Sequence, residues 1–598
     1  MNKIIEQVTK NIAQRSCKLR GDYLSRTRQQ ATTGKDRAML ACGNLAHTVA
    51  SCGAGQKSTI LDFTRSNVAI VTAYNDMLSA HQPYQDYPDK IKNALKNVGH
   101  SAQVAGGVPA MCDGVTQGQT GMDLSLFSRD LIAQATAIAL SHNTFDATLL
   151  LGVCDKIAPG QIIGALSFGH LPSAFVPSGP MSTGITNEEK VKIRQQYAAG
   201  EIDKTALQDM ENSAYHSPGT CTFYGTANTN QLVFEAMGLM LPGSAFLLPN
   251  SSLRHALTDK VAKHMATITH GCSDYRPLAE VVDERTIVNG LVALLASGGS
   301  TNHTIHMIAI ARASGFIVTW DDFDQLSKVV PSLTLIYPNG PADINAFQAA
   351  GGVSTLMKML ADRDLLNMDA MPIFGTMQDY LKQPVLVDGE VQFLTATDSL
   401  NTDVIAAPSK QFSQQGGLRV LDGNIGRGVI KISAVAEENR FVEAPAMVFE
   451  SQHDVETAYK AGQLNKDVII VVRHNGPSAN GMPELHKLMP ILGNVMKAGF
   501  KTALVTDGRL SGASGKVPAA IHITPEALCG GVLSKLQDGD IICLDANNGK
   551  ITVKADLAMR PEYHPDLADE HIGAGRELFS MFRKIVSSAE TGASIFNI

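Results

Sequence analysis

The stretch TLLLGVCDKIAPG, Thr148 to Gly160, decides how the chain is read. An apolar run, ATLLLGV, ends in a thiol, a carboxylate and an amine in succession. Pro159 follows where it fits the first turn of a helix. A strand passing at once into a helix is half of a βαβ unit, and open α/β sheets bind ligands outside the carboxyl ends of their strands. Cys154, Asp155 and Lys156 therefore stand where such folds place their chemistry. Two readings stay open here: a site, or a buried cysteine beside a solvated Asp–Lys pair, since free cysteine is among the most buried residue types.

Working outward, the same alternation runs from about Asn67 to Ser178. NVAIVTAYND reads as a strand, PYQDYPDKIKNALKNVG as a helix, SAQVAGG as a strand and SRDLIAQATAIALSHN as a helix with apolar residues at i, i+3 and i+4. PGQIIGALSFG continues as a helix and PSAFVPS as a strand. The pattern predicts a three-layer α/β domain with a parallel sheet. A charged helical stretch at 187–212 reads as an insertion, and helices dominate 253–366. Beyond about Met371 the segments PVLVDGEVQFL, GLRVLDGNIGRGVIKISAV, DVIIVVRHNG, KTALVTDG and GDIICLDANNGKITVKA are β-rich and separated by Gly, Asn and Asp. They predict a C-terminal β-barrel domain with flanking helices. The division expected is a helical arm at 1–64, the α/β domain at 65–375 and the barrel domain with a C-terminal helix at 376–598.

Composition bounds the partners. The 598-residue chain carries a net charge of −7 with no basic stripe, which disfavours nucleic-acid binding. No run approaches the ~18 apolar residues of a membrane span, and the amphipathic N-terminal stretch lacks a signal-peptide core. A cytoplasmic protein is expected. Nine widely spaced cysteines, with no CxxC pair, argue against a disulfide framework and against a zinc ribbon.

Four further stretches carry chemistry-bearing residues. GGVPAMCDGVTQGQTGM repeats the Cys–Asp dipeptide at Cys112 and Asp113 in a Gly-rich loop, which reads as a Mg²⁺ ligand or as a capping aspartate in a tight turn. GTCTFYGTANTNQ places Cys221 among small polar residues, with Thr226, Asn228 and Thr229 available to cap the next helix. GPSANGMPEL carries Glu484 after a strand, and TDGRLSGASGK carries Ser511 in a Gly-rich turn. The last is not a P-loop, because Leu510 and Val517 break the pattern, nor a GxSxG elbow, because Arg509 stands two before Ser511. GGSTNH suits a helix N-terminus facing an anion; His303 and His306 read more readily as structural than as ligands. Three thiols on three loops fit an iron–sulfur cluster better than zinc.

Together and in this order, AMCDGVTQGQTGMDLSLFSRD, GVCDKIAPG, GTCTFYGTANTNQ, GGSTNH, GPSANGMPEL and TDGRLSGASGKVPAAIHITPEA resemble the dihydroxy-acid/phosphogluconate dehydratase family over about residues 65 to 530. The first block is closer to the phosphogluconate branch than to the branched-chain amino-acid branch. The resemblance implies a homo-oligomeric hydro-lyase, a dimer or dimer of dimers, that takes a phosphorylated sugar acid. It implies removal of water from 6-phospho-D-gluconate to give 2-dehydro-3-deoxy-6-phospho-D-gluconate. It implies Cys154 and Cys221 as cluster ligands, Asp113, Asp155 and Glu484 as divalent-metal carboxylates, Lys156 as a lysine carboxylated in some relatives, and Ser511 as the proton-abstracting base. Relatives with a [2Fe-2S] cluster draw a third cysteine from a loop after the first strand, but TAYNDMLSAHQPYQ contains none. Cys112 is the substitute, and [4Fe-4S] is the expected cluster, with [2Fe-2S] the alternative. Arg509 and Lys516 are candidate phosphate cations. A dihydroxy-acid or aldonate dehydratase shares this chemistry without the phosphate; a Mg²⁺ enzyme without iron is the reading from another class.

Overall fold

In the computed structural model, which describes residues 1–31, 35–511 and 515–596, four strands form the first sheet. They are β1 (Asn67–Thr72), β2 (Ser101–Gly107), β3 (Ala147–Leu151) and β4 (Ser173–Phe175), all parallel in the order β2-β1-β3-β4. Every residue of β3 is buried, as expected of a central parallel strand covered on both faces. The helix Ile157–Leu166 leaves β3 immediately and packs on Ser125–Leu140. The approach is close because a Cβ at Gly160 would lie 2.5 Å from the Arg129 carbonyl oxygen, and one at Gly164 2.4 Å from that of Ala133. The charged insertion folds as two helices, Asn187–Ala198 and Lys204–Ala214.

The N-terminal stretch is one helix, Lys3–Gln30. Its buried Ile5, Val8, Ile12 and Tyr23 join the main hydrophobic core, and it packs on Glu284–Ala296.

The hairpin β5 (Lys382–Val387) and β6 (Glu390–Thr395) corrects the reading of PVLVDGEVQFL as barrel sequence. It is a separate two-stranded sheet turning at Asp388 and Gly389, both at positive φ. The closed barrel has eight strands: β7 (Leu418–Gly423), β8 (Gly426–Lys431), β9 (Phe441–Phe449), β10 (Val468–Val472), β11 (Thr502–Thr506), β12 (Ala519–Thr524), β13 (Ile541–Asp545) and β14 (Lys550–Val553). Strands β9 to β12 run parallel, and the rest close the barrel mainly through antiparallel pairs. The pleat of β10 divides its apolar run between two cores. Ile469 and Val471 belong to a cluster drawn from the barrel region, whereas Val468, Ile470 and Val472 join the core shared with the α/β part.

Short helical turns precede the C-terminus, among them Ser580–Ile585. The chain then returns to the α/β domain. Arg129, fully buried, donates to the carbonyls of Gly592 and Ala593, and Asp130 accepts from the Ser594 hydroxyl and the Ile595 N–H. Among the described residues no helix is long and apolar enough to cross a membrane.

Candidate active site between the sheet and the barrel

The carboxyl ends of β2 and β3 face those of β10 and β11, and the sequence-predicted residues gather in the gap. Asp113 comes from the loop after β2, Cys154, Asp155 and Lys156 from the end of β3, Glu484 from the loop after β10, and Arg509 and Ser511 from the loop after β11. One oxygen from each of Asp113, Asp155 and Glu484 lies within 4.8 Å of the others.

Two cations hold this cluster together. Lys156, 2% exposed, contacts Asp113 closely and lies 3.5 Å from Asp155. Arg509 donates to Glu484 at 2.8 Å and to Asp113 at 3.1 Å. Arg509 is thus consumed within the site, which overturns its reading as a phosphate cation; Lys516 is exposed. The Ser125 hydroxyl adds a 2.5 Å hydrogen bond to the second oxygen of Asp113, and Gln117 reaches Glu484 at 3.5 Å. Neither Ser125 nor Gln117 carried a sequence signal beyond lying in or next to the Gly-rich block.

The electrostatics separate the three carboxyls. Burial pushes Asp113 up, but Lys156 and Arg509 outweigh it and hold the group well below the usual carboxylate range. Burial dominates at Asp155, which stays raised against Lys156, and at Glu484, pushed up to about 7 against Arg509 with Asp113 adding repulsion. Without a further cation the set is short of positive charge, which is the situation of a divalent-metal site.

Three thiols lie beside the carboxylates. Cys154 takes a left-handed backbone, φ 66°, that turns its side chain out of the strand direction. The helix Thr226–Ala236 fixes both outer cysteine loops: Asn230 donates to the carbonyls of Cys154 and Asp155, and Asn228 to those of Cys221 and Phe223. This corrects the capping role read for Thr226, Asn228 and Thr229. Gly225 is the N-cap, Thr226 pairs with Ser300, and Thr229 bonds back to Gly225. Cys112 stands at the N-cap of the short helix Asp113–Thr116.

Burial pushes the Cys154 thiol well above its usual value and Cys221 up to about 12. At both, neighbouring Cys112 and Asp155 add to the rise, so the three thiols share one electrostatic neighbourhood. Among the described residues the three sulfurs do not close into a group within 4.8 Å, whereas one ion at about 2.3 Å from each thiolate would demand it. Cys154 is buried and Cys112 and Cys221 are half-buried, all three beside the anionic cluster.

Ser511 is half-buried and lines a small pocket together with Thr301 and Lys431. Lys431 is one lysine in a strand and carries no local sequence signal. The GASGK segment lies partly outside the described residues. His303 and His306 are buried, and burial pushes His303 down to about 3.

Comparison with known proteins shows the family. Residues 65–380 match the Dihydroxy-acid/6-phosphogluconate dehydratase N-terminal family model, and 403–593 its C-terminal counterpart. The chain is 55% identical to a phosphogluconate dehydratase of Escherichia coli, over 99% of each chain. It is 54% identical to one of Pseudomonas aeruginosa, over 100% of this chain and 99% of the other. A dihydroxy-acid dehydratase of Clostridium botulinum is 30% identical over 89% of this chain and 95% of its own. The chain is an enzyme belonging to the dihydroxy-acid/6-phosphogluconate dehydratase family.

Proposed function

We propose that the protein dehydrates 6-phospho-D-gluconate, taking the C2 hydrogen and the C3 hydroxyl as water to leave an enol that ketonises to 2-dehydro-3-deoxy-6-phospho-D-gluconate. The observation that carries the substrate is the likeness to phosphogluconate dehydratases over the whole chain. The site supports the chemistry. Cys112, Cys154 and Cys221 would hold a [4Fe-4S] cluster, and Asp113, Asp155 and Glu484 a Mg²⁺ ion, with carboxylation of Lys156 adding a further anionic ligand. When bound, such centres supply Lewis acidity to an α-hydroxy carboxylate and to a departing hydroxyl.

The chain's own residues do the rest. Arg509 fixes Asp113 and Glu484 in one constellation, so that a substrate oxygen meets a preorganised site. Ser511, in the adjoining pocket, takes the C2 proton. A free hydroxyl is far too weak a base, so Ser511 acts as an alkoxide stabilised by cationic surroundings. The proton sits α to a carboxylate, so stabilising the resulting enediolate is the larger part of the task. The same reading has the enzyme act in the cytoplasm as a homodimer or dimer of dimers.

The test is anaerobic reconstitution with iron and sulfide, followed by a panel of 6-phosphogluconate, gluconate and 2,3-dihydroxyisovalerate. Turnover is expected for the first and at least a hundredfold less for the others. Full turnover by Cys154→Ser or Cys221→Ser protein lacking any cluster would sink the iron–sulfur reading in favour of a Mg²⁺ enzyme. Ser511→Ala is expected to abolish turnover while leaving the cluster spectrum intact.

A further inference from the structure

Lys431, the last residue of β8, is 7% exposed, and its Nζ has no hydrogen-bond partner among the described residues. Four other buried cations are neutralised: Arg37 meets Asp146, Arg129 meets Asp130, and Lys156 and Arg509 meet the carboxylate cluster. Lys431 meets none of these, and burial alone pushes it down to about 7. Its stem runs past Gly515, where a Cβ would lie 3.5 Å from the Lys431 Cδ and 2.9 Å from the Ala434 Cβ. The chain thus leaves room for a lysine that makes no internal bond.

The pocket that Lys431 lines explains the expense. Its walls include the apolar Val517, Ala519 and Ile521, and its polar lining includes Thr301 and Ser511. Thr301 adjoins the N-cap Asn302 of the eleven-residue helix His303–Ala313, whose positive end lies on that side. An unpaired ammonium in apolar surroundings is costly, and an anion delivered from outside removes the cost.

We propose that Lys431, with Thr301 beside it, seats an anionic group of the substrate, a phosphate or carboxylate of the sugar acid, separately from the Asp113–Asp155–Glu484 cluster. The assignment rests on the sugar-acid reading above. It replaces Arg509, whose charge is already taken.

Titration calorimetry on the reconstituted holoenzyme tests it, with 6-phosphogluconate, gluconate, inorganic phosphate and acetate as probes. Lys431→Met is expected to weaken 6-phosphogluconate binding about 10- to 150-fold, the range for a hydrogen bond to a charged group. If the phosphate is seated, inorganic phosphate binding disappears and gluconate is unchanged; if the carboxylate is seated, gluconate weakens by the same factor and acetate binding disappears. The ligand-free Met variant is expected to melt at or above the wild-type temperature, because an unpaired buried charge has gone. Should it melt lower, Lys431→Gln, which keeps polarity without charge, decides by the same titrations. A Kd for 6-phosphogluconate within threefold of wild type in the folded variant overturns the seat, as does lost kcat with all Kd values unchanged. Wild-type enzyme that ignores 6-phosphogluconate refutes the proposed function instead; the seat is then judged by the small anions, and is overturned if neither binds in a Lys431-dependent way.

Discussion

At Cys154 a side chain with a Cβ occupies a backbone conformation that costs an ordinary L-residue about 1–2 kcal/mol. The strain is tolerable because Asn230 holds the loop from outside by its carbonyls, and because the turn presents the thiol beside those of Cys112 and Cys221. Both Cys154→Gly and Cys154→Ala lose the thiol, so the pair isolates the backbone. In apo-protein the Gly variant should be the more stable by about 1 kcal/mol, as read from urea midpoints. Equal midpoints would show that the loop relaxes. Arg509 presents the opposite economy, a buried cation shared by two carboxylates from different parts of the fold. Arg509→Met leaves Asp113 and Glu484 with less charge to meet and should cost about 3–5 kcal/mol in chelator-treated protein. Millimolar Mg²⁺ should recover part of that loss in the same denaturation experiment, and no recovery would argue against a cation site at these carboxylates.

The helix Ile157–Leu166 is the element that makes the junction after β3 rigid. Its two glycines, one turn apart, let it lie against the helix Ser125–Leu140, which carries Ser125 to Asp113 and Arg129 to the C-terminal segment. A Cβ at Gly160 would meet both a backbone oxygen and the Ile132 side chain, at 2.5 and 2.8 Å. The carbonyl cannot step aside without moving its helix. Gly160→Ala should therefore destabilise by about 1–3 kcal/mol, the usual penalty of overpacking, despite alanine's better helix propensity. A thermal midpoint at or above wild type would mean that the two helices slide freely. The β5–β6 hairpin makes the converse point: its alternation and Asp–Gly turn were legible, but nothing in its local pattern said which sheet it would join.

At the scale of the whole molecule, the site exists only where the open sheet and the barrel meet, and the C-terminal segment helps to hold that meeting. Residues 592–595 supply two carbonyls to Arg129 and two donors to Asp130. A truncation ending at Thr591 removes four hydrogen bonds from a buried charge pair and should cost about 3–5 kcal/mol. Differential scanning calorimetry would show it, and an unchanged midpoint would reduce the tail to decoration.

The sequence by itself determined the elements and the list of reactive residues. Strand and helix periods follow from which faces are apolar, and a thiol, a carboxylate or a Gly-flanked serine at a strand end is legible one loop at a time. That is why TLLLGVCDKIAPG disclosed a strand, a turn and three reactive groups. Tertiary structure alone decided which charges are spent on each other. Arg509 is more than 350 residues from Asp113 in the chain yet neutralises it, while Lys431, unremarkable in its strand, is left without a partner among the described residues. Local patterns encode burial and backbone geometry. The pairing of distant charges depends on a few ångströms in the meeting of two domains, and no short stretch of sequence records that distance.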